Sequence, residues 1–337
     1  MRIKKFDFKL FRSDNHLSSA ICYLSSVFRH LSCLSLILLL IAGLFFGCTG
    51  VQKSESPVLP EILSPGVELE KVPFYPQKKY QCGPSSLAMA LTYSDMPITP
   101  EALESQVYTP SQKGSLQMAM IGATRRQGRI AYPIHGLNSL WPELAAGHPV
   151  IVLQNLGLSW LPVWHYAVVI GYDFPENYII LRSGVTERKK ISFATFEKTW
   201  AHSDYWGMLV LKPTQLPAIA TEKEYLAAVY GLEKAQQFQA AIEGYQTALT
   251  LWSHSLITFM GLGNSRYALG DLNGAENAFR RAIQRHPRSA AAYNNLAQVL
   301  SEQGRRKEAI EAAQRAVAIG GPVKEVYEST LLEIQSK

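Results

Sequence analysis

The pattern of apolar and polar positions divides the chain into three regions. Residues 31–51 contain no charged side chain, and most of them are apolar. Residues 69–213 combine short apolar runs of strand length with stretches that have helical spacing. From about residue 222, apolar positions follow a helical period to the end of the chain. The pattern therefore predicts an apolar leader, a domain of mixed helices and strands, and an all-helical domain.

In the mixed domain, helical stretches come first and most strands follow. Apolar residues at helical spacing predict helices at 84–93, 100–107, 115–127 and 193–200. Short runs rich in β-branched and aromatic residues predict strands at 129–133, 150–154, 166–172, 178–182 and 205–211. Helices followed by antiparallel strands are typical of an α+β domain, which we place at residues 69–215.

The helical region, 222–335, repeats every 34 residues. Aromatic residues recur at Tyr225, Phe259 and Tyr293, and alanines recur at Ala241, Ala275 and Ala309 and at Ala248, Ala282 and Ala316. This period matches the tetratricopeptide pattern, in which paired helices stack into an all-α solenoid. We expect about three repeats, which bind a protein partner or act as a spacer. Gln236 replaces the turn glycine that Gly270 and Gly304 provide, so the first repeat is expected to pack on the preceding domain as a cap.

The apolar run near the amino terminus predicts that the rest of the chain is exported. Basic residues precede the run, which favours a cytoplasmic amino end. Gly47 and Cys48 resemble the end of a bacterial lipoprotein signal, which implies lipidation of Cys48, although Phe45 stands where an aliphatic residue is usual. The alternatives are simple cleaved secretion and an uncleaved signal anchor, because the 21 residues 31–51 span the ~30 Å core of a bilayer.

The charge distribution agrees with this leader and argues against a nucleic-acid partner. The net charge is +6, and the first 48 residues contribute +4 of it, through six Lys and Arg against two Asp. The remainder of the chain has no basic stripe suited to a phosphate backbone. We therefore assign 1–48 as a lipoprotein leader or membrane anchor and 49–68 as a linker. The folded part is expected at the periplasmic or outer-membrane face of a bacterial membrane.

Only one cysteine lies outside the leader. Cys22, Cys33 and Cys48 lie in the leader, so Cys82 is the only thiol in the part that folds. A lone cysteine with a histidine elsewhere is a candidate nucleophile, whereas an inert buried thiol is the commoner fate of free cysteine. Because no metal-ligand spacing appears, neither a metal nor a cofactor is expected.

Cys82 and His165 stand in sequence contexts that suit a catalytic pair. Cys82 comes just before a predicted helix in VPFYPQKKYQCGPSSLAMAL, residues 72–91, where unpaired N–H groups and the helix dipole favour a thiolate. Gly83 permits a sharp turn and a close approach of substrate. His165 opens a predicted strand in WHYAVVIGYD, residues 164–173. Folded against Cys82, its imidazole would pair with the thiolate and protonate a leaving amine.

These two blocks together resemble a known family. Gln-x-x-x-x-Cys-Gly-Pro-x-x-Leu-x-Met followed by His-Tyr-x-Val-Val-x-Gly-Tyr is similar to the bacteriocin-leader-processing cysteine peptidases and their stand-alone relatives. The resemblance covers about 145 residues and implies a papain-like fold, with Cys82 as nucleophile and His165 as general base. It also implies an upstream glutamine as oxyanion donor. We expect Gln77 rather than Gln81, although Gln77 precedes Cys82 by five residues where the family more often has six.

The third catalytic residue of that family, an Asp or Asn, is missing from its expected place. The sequence there reads LRSG at 181–184, so Ser183 is a weaker candidate to accept from the imidazole N–H. Asp173, eight residues after His165, is the other candidate orienting group. The alternative for Asp173 is a turn residue before Pro175.

Taken together, these features predict a membrane-anchored cysteine peptidase that cleaves a peptide or protein substrate. The repeats would recruit a protein partner. The missing third residue motivates an alternative, in which the domain is a degenerate peptidase-like scaffold for protein binding. An acyltransferase that uses the same Cys82 and His165 is a further alternative.

Overall fold

The computed structural model describes residues 63–336, a sheet-containing domain followed by a run of helices. This confirms the predicted order of an α+β domain and an all-α region. The predicted leader, Cys48 and most of the predicted linker lie outside the described residues. Within 63–336, no helix is both long and apolar enough to cross a bilayer.

A seven-stranded antiparallel sheet forms the centre of the first domain. Its strands are β1 (Gly66–Glu68), β4 (Ile130–His135), β5 (Val150–Asn155), β6 (Trp164–Asp173), β7 (Tyr178–Ser183), β8 (Thr186–Ser192) and β9 (Trp206–Leu211), and a separate small hairpin pairs β2 (Tyr108–Thr109) with β3 (Gly114–Ser115). The order across the sheet is β4-β9-β5-β6-β7-β8, and β1 pairs with the carboxyl end of β6. All five predicted strands are present, so short β-branched and aromatic runs were a sufficient signal.

Three helices cover one face of this sheet: α1 (Cys82–Tyr93), α2 (Pro100–Val107) and α3 (Gln117–Arg126). Leu87 and Leu91 of α1 belong to the same buried cluster as Tyr166 and Val168 of β6. Pro84 is tolerated in the first turn of α1, because the N–H that proline lacks has no partner inside the helix there. This packing fixes the start of α1 beside the start of β6.

The opposite face of the sheet packs against α4 (Leu137–Ala145) and α5 (Phe193–Ala201). Trp141 of α4 and Trp200 of α5 are buried in one cluster with Ala167 and Val169 of β6. Successive side chains of a strand point to opposite faces, so β6 supplies alternate residues to two cores. The sequence of β6 is therefore a nearly continuous run of apolar residues.

The pattern did not predict α4 or the strands β1, β2, β3 and β8, of which α4 and β8 are the longest. Helix α4 contains Pro142, and β8 reads TERKKIS with no buried residue. Strand β8 is an edge strand, and charged side chains on an edge discourage pairing with another chain. Its Arg188 instead forms an ion pair with Glu68, with 2.6 Å between Nε and Oε1.

The repeat region contains seven helices in the described chain. They are α6 (Glu222–Lys234), α7 (Phe238–Leu251), α8 (Leu256–Ala268), α9 (Leu272–Arg285), α10 (Ala290–Glu302), α11 (Arg306–Ile319) and α12 (Lys324–Ser336). Gly270 and Gly304, in the turns after α8 and α10, adopt φ of +79° and +77°. Gln236 adopts φ of +60° at the equivalent turn after α6. The first repeat thus keeps the left-handed turn without glycine, at a cost of roughly 1–2 kcal/mol.

The first repeat packs on the sheet domain, as its degeneracy predicted. Tyr225 of α6 lies in the same buried cluster as Tyr132 of β4. The Tyr132 hydroxyl donates to Glu224 Oε2 over 3.0 Å, and Glu143 Oε1 accepts from the backbone N–H of Ile219 over 3.0 Å. The two predicted domains therefore share one hydrophobic core rather than meeting through a flexible linker.

Replacing Tyr225 with alanine should loosen the sheet domain as well as the repeats. The fully buried ring joins the shared core, and such truncations cost about 3–5 kcal/mol of unfolding free energy. Hydrogen exchange of the β4 amides should accelerate in this variant. Phe259→Ala is the control, because Phe259 is equally buried in a cluster confined to the repeats. Unchanged β4 exchange in Tyr225→Ala would contradict a shared core.

Candidate functional site

Cys82 is the first residue of α1, and Gln81 is the residue that caps the helix. The helix begins two residues before the predicted start. No side chain caps this end, so the first backbone N–H groups have no partner within the helix. Cys82 is half-buried at this position and is the free cysteine of the described chain.

The Cys82 thiol contacts backbone N–H groups from two segments. The N–H groups of Tyr166, Gly83 and Cys82 itself each act to lower the pKa of the thiol. Burial is the larger effect, and it raises the pKa above its ordinary value. The helix start therefore does not produce the resting thiolate that the sequence suggested. At neutral pH the thiol is protonated.

His165 lies near the start of β6, one residue before Tyr166, whose N–H contacts the thiol. Its Nε2 atom is 3.0 Å from Ser183 Oγ at the end of β7. Burial, and to a lesser extent the charge of Lys189, lowers the pKa of His165 to about 4. The imidazole is therefore neutral near pH 7. His165 and the thiol are connected through Tyr166, which follows His165 in the chain and whose N–H contacts the thiol.

The two candidate orienting groups are separated by the length of β6. Asp173 ends the strand, eight residues from His165, and its Oδ1 accepts from the backbone N–H of Glu176 over 3.0 Å. At about 3.3 Å per residue it lies roughly 26 Å from His165. Asp173 is thus a turn residue. Of the two, Ser183 is the one that hydrogen-bonds to the imidazole.

Gln77 lies in the site but its amide is occupied. Nε2 donates to Ser86 Oγ over 3.2 Å and to the carbonyl of Tyr166 over 3.1 Å, while Oε1 accepts from the N–H of Gly184 over 3.0 Å. Both amide hydrogens have acceptors within the protein. Gln77 therefore joins three segments of the site, and this geometry leaves no hydrogen for an oxyanion. The alternative, Gln81, makes no capping hydrogen bond at the helix start.

Tyr166 is the site residue that the sequence reasoning missed. Its N–H contacts the thiol, its carbonyl accepts from Gln77, and its hydroxyl donates to the carbonyl of Ser115 over 3.2 Å. Burial raises the pKa of its hydroxyl far above the ordinary value, so the hydroxyl remains a donor. The available signal was a polar aromatic residue next to His165 in an otherwise aliphatic strand, since buried tyrosines need a hydrogen-bond partner.

Gly83 has a packing role that differs from the predicted one. It is buried inside α1, and a Cβ atom there would lie 2.2 Å from Ser115 Oγ. The missing side chain lets β3 approach the start of α1. Close approach by substrate was the expectation, but a protein segment already fills that space.

The site therefore offers a thiol, a neutral imidazole and backbone donors, without a carboxylate bonded to the imidazole. A neutral imidazole can accept a proton from a thiol as the sulfur attacks a carbonyl carbon. Among residues 63–336 there is no cluster of three or more His, Cys, Asp and Glu side chains that could hold a metal ion.

Comparison with family models finds two regions of similarity. Residues 69–208 match the Peptidase C39 like family, and residues 260–322 match a tetratricopeptide repeat. The first match includes Cys82, His165 and Ser183. No curated protein matches the chain.

Among solved structures, the chain is similar to a protein from Bacillus anthracis assigned as a C39-like peptidase. That match has 20% identity and a TM-score of 0.38, and it covers 44% of this chain and 98% of the other. The type III secretion translocator chaperone SycD from Yersinia enterocolitica matches with 18% identity and a TM-score of 0.32, over 34% of this chain and 82% of the other. The Sgt2 tetratricopeptide domain from Aspergillus fumigatus matches with 17% identity and a TM-score of 0.32, over 34% of this chain and 77% of the other.

The sequence blocks around Cys82 and His165, the sheet covered by α1–α3 and the family matches agree with one another. Residues 69–208 thus match the Peptidase C39 like family, and this sheet domain is joined through a shared core to a region that matches the tetratricopeptide repeat.

Proposed function

We propose that the chain is a membrane-anchored cysteine peptidase in which Cys82 is the nucleophile and His165 the general base. The observation that carries the proposal is the position of the thiol. The thiol lies at the start of α1 against the N–H of Tyr166, the residue that follows His165, and His165 Nε2 is 3.0 Å from Ser183 Oγ.

The reaction begins from an uncharged pair. His165 Nε2 is 3.0 Å from Ser183 Oγ. The reaction uses the tautomer in which Nε2–H donates to Ser183, so that the unprotonated Nδ1 takes the thiol proton as the sulfur bonds to the substrate carbonyl carbon. The imidazolium returns this proton to the leaving amine as the carbon–nitrogen bond breaks. Water then attacks the thioester, and the acid product and the free thiol are released.

The oxyanion of this reaction is best assigned to backbone donors. The N–H groups of Cys82 and Gly83 at the open start of α1 point toward the sulfur, where the carbonyl oxygen of a bound substrate would develop charge. Gln77 is assigned instead as a positioning residue, because it ties the entry segment to Tyr166 and Gly184.

In this proposal the leader determines where the enzyme is located, and the repeats recruit a protein partner. The leader, with Cys48 as the lipidation site, would hold the enzyme at a membrane. The repeats would bind a protein partner, which is the usual role of such arrays. Because α6 is part of the shared core, a partner bound to the repeats would be held in a fixed orientation toward the site.

A peptidase-like scaffold is the second candidate. It is favoured by the group that hydrogen-bonds to the imidazole, which is Ser183 and not a carboxylate. The resting ionisation of Cys82 does not separate the two candidates, since general-base catalysis needs no preformed ion pair. Cleavage that depends on Cys82 does separate them.

Cys82→Ala should abolish both cleavage and thiol labelling in the folded region. We expect proteolysis of an unfolded-protein mixture, followed by mass spectrometry of new termini, to fall by about 10⁴-fold or to background. Peptide mapping after treatment with iodoacetamide should show loss of the label at position 82. The control is His165→Ala, which should retain the label and lose cleavage. Wild-type protein that generates no Cys82-dependent termini would support the scaffold.

Alkylation of Cys82 should be slow at pH 7 and should rise steeply only in alkaline solution. A raised thiol pKa means less thiolate at any given pH, so the midpoint should exceed the ~8.5 of a free thiol. The rate of labelling by iodoacetamide, read at Cys82 by peptide mapping between pH 5 and pH 10, measures this midpoint. A rate already maximal near pH 6 would mean that an ion pair is present at rest.

Ser183→Asp should turn the neutral pair into an ion pair. A carboxylate accepting from Nε2–H raises the pKa of His165 and, through the imidazolium, lowers that of Cys82 by about one unit or more. Alkylation at pH 7 should then accelerate about tenfold, because thiolate increases tenfold per unit. Ser183→Asn is the control of equal size without charge. Equal rates in the two variants would show that the group at position 183 does not act on the dyad through its charge.

A further inference from the structure

The turn between β5 and β6 leaves a run of large apolar side chains exposed to solvent. We call residues 156–164 the apolar hairpin. Its exposed large side chains are Leu156 (47% exposed), Leu158 (56%), Trp160 (76%), Leu161 (60%), Val163 (56%) and Trp164 (48%). Contiguous apolar patches of this kind mark binding sites for proteins, ligands or membranes. The hairpin leads directly into His165.

The backbone of the apolar hairpin is largely satisfied internally. Leu158 and Leu161 exchange two N–H···O bonds of 3.1 Å, and the N–H of Leu156 donates to the carbonyl of Val163 over 2.9 Å. Asn155 Oδ1 accepts from the N–H groups of Gly157 and Val163 over 2.9 and 2.8 Å. A segment can enter an apolar environment only if its backbone polar groups have partners, so this closed hairpin is suited to one.

The charge pattern around the hairpin also suits a lipid interface. No Asp, Glu, Lys or Arg occurs between Glu143 and Asp173. An open groove of about 430 Å³ lies between the base of the hairpin and α5, and its lining includes Lys198 and His202 but no carboxylate. An uncharged tip with tryptophans, beside a cationic groove, matches the layer where acyl chains meet anionic headgroups.

The leader could hold the hairpin within reach of a bilayer. The described chain enters the sheet at Gly66, which pairs with Asp173 at the opposite end of β6 from the hairpin. The length of β6 and the hairpin together is about 40 Å at ~3.3 Å per residue. The 17 residues 49–65 can span up to about 56 Å when extended. A tether at Cys48 therefore permits the hairpin to touch the same membrane.

We propose that the apolar hairpin inserts its tip into the interfacial layer of the bilayer to which the leader anchors the chain. This inference rests on the membrane anchoring in the proposed function. The occupant is a lipid surface rather than a peptide, because five of the six exposed apolar side chains lie outside the groove beside α5 and only Leu156 lines it.

Insertion would orient the enzyme on the membrane. His165 follows Val163 by two residues, so the site would be held about 10–15 Å from the tip of the hairpin at ~3.3 Å per residue. Substrates would then be chain segments that emerge from the bilayer or lie along its surface. Bulk soluble proteins would reach the site less readily.

Tryptophan quenching by brominated lipid tests this insertion in the full chain. The six tryptophans include none in residues 1–62, and Trp160 and Trp164 are the two that are strongly exposed. The full chain is reconstituted into vesicles with brominated acyl chains, in which about a quarter of the lipids are anionic. Because two of the six tryptophans are in the hairpin, emission should fall by up to about one third relative to unbrominated vesicles.

Leu158→Asp combined with Leu161→Asp should remove the quenching and leave both reporter tryptophans in place. The matched control is Leu251→Asp combined with Leu332→Asp, a pair of similarly exposed leucines in the repeats, which should leave quenching unchanged. Co-sedimentation with the vesicles is measured for every variant. Quenching in the wild type and control, and its loss in the hairpin variant, is the expected result.

Each other outcome overturns the inference in a distinguishable way. If wild-type protein co-sediments with the vesicles but its tryptophan emission is not quenched, the chain is anchored to the membrane and the hairpin does not insert. Wild-type protein that does not co-sediment with the vesicles would show that the chain is not anchored to the membrane. A blue shift of emission with added apolar peptide, in the absence of quenching, would make the hairpin a peptide surface. A blue shift that depends on protein concentration without vesicles would make it an interface between two copies.

Discussion

The candidate site depends on the hydrogen bonds of Tyr166. Through its N–H, carbonyl and hydroxyl, this residue contacts Cys82 at the start of α1, Gln77 in the entry segment and Ser115 in β3. Tyr166 is buried between the helices and the sheet, so these bonds are shielded from water and are difficult to exchange. The position of the thiol relative to β6, and hence to His165, follows from this residue.

Burial determines the electrostatics of the site more than any charged partner. It raises the pKa of Cys82 and lowers that of His165, and the residue bonded to the imidazole is a serine rather than a carboxylate. Lys189 adds to the effect on His165 with the same sign. Burial thus disfavours the charged form of both groups, the Cys82 thiolate and the His165 imidazolium.

The sheet domain and the repeats are joined by one hydrophobic core. Helix α6 belongs to the repeats by sequence and to the core of the sheet domain by packing, because Tyr225 and Tyr132 share one cluster. The apolar hairpin extends from β5 and β6, the central strands of the same sheet. A partner on the repeats and a lipid surface at the hairpin would therefore both have fixed orientations relative to Cys82 and His165.

The sequence alone determined the fold class, the five strands with strong β patterns and the repeat architecture. Each of these features follows from a periodic pattern of residues in the sequence. It did not reveal α4 or the strands β1, β2, β3 and β8. Pro142 is atypical of a helix such as α4, and the charged run of β8 is atypical of a strand. The contacts of Asp173, Gln77 and Tyr166 were decided only by tertiary structure. Whether a side chain orients an imidazole or caps a turn depends on which distant segments the fold brings within about 3 Å of it, and spacing along the chain carries no such information.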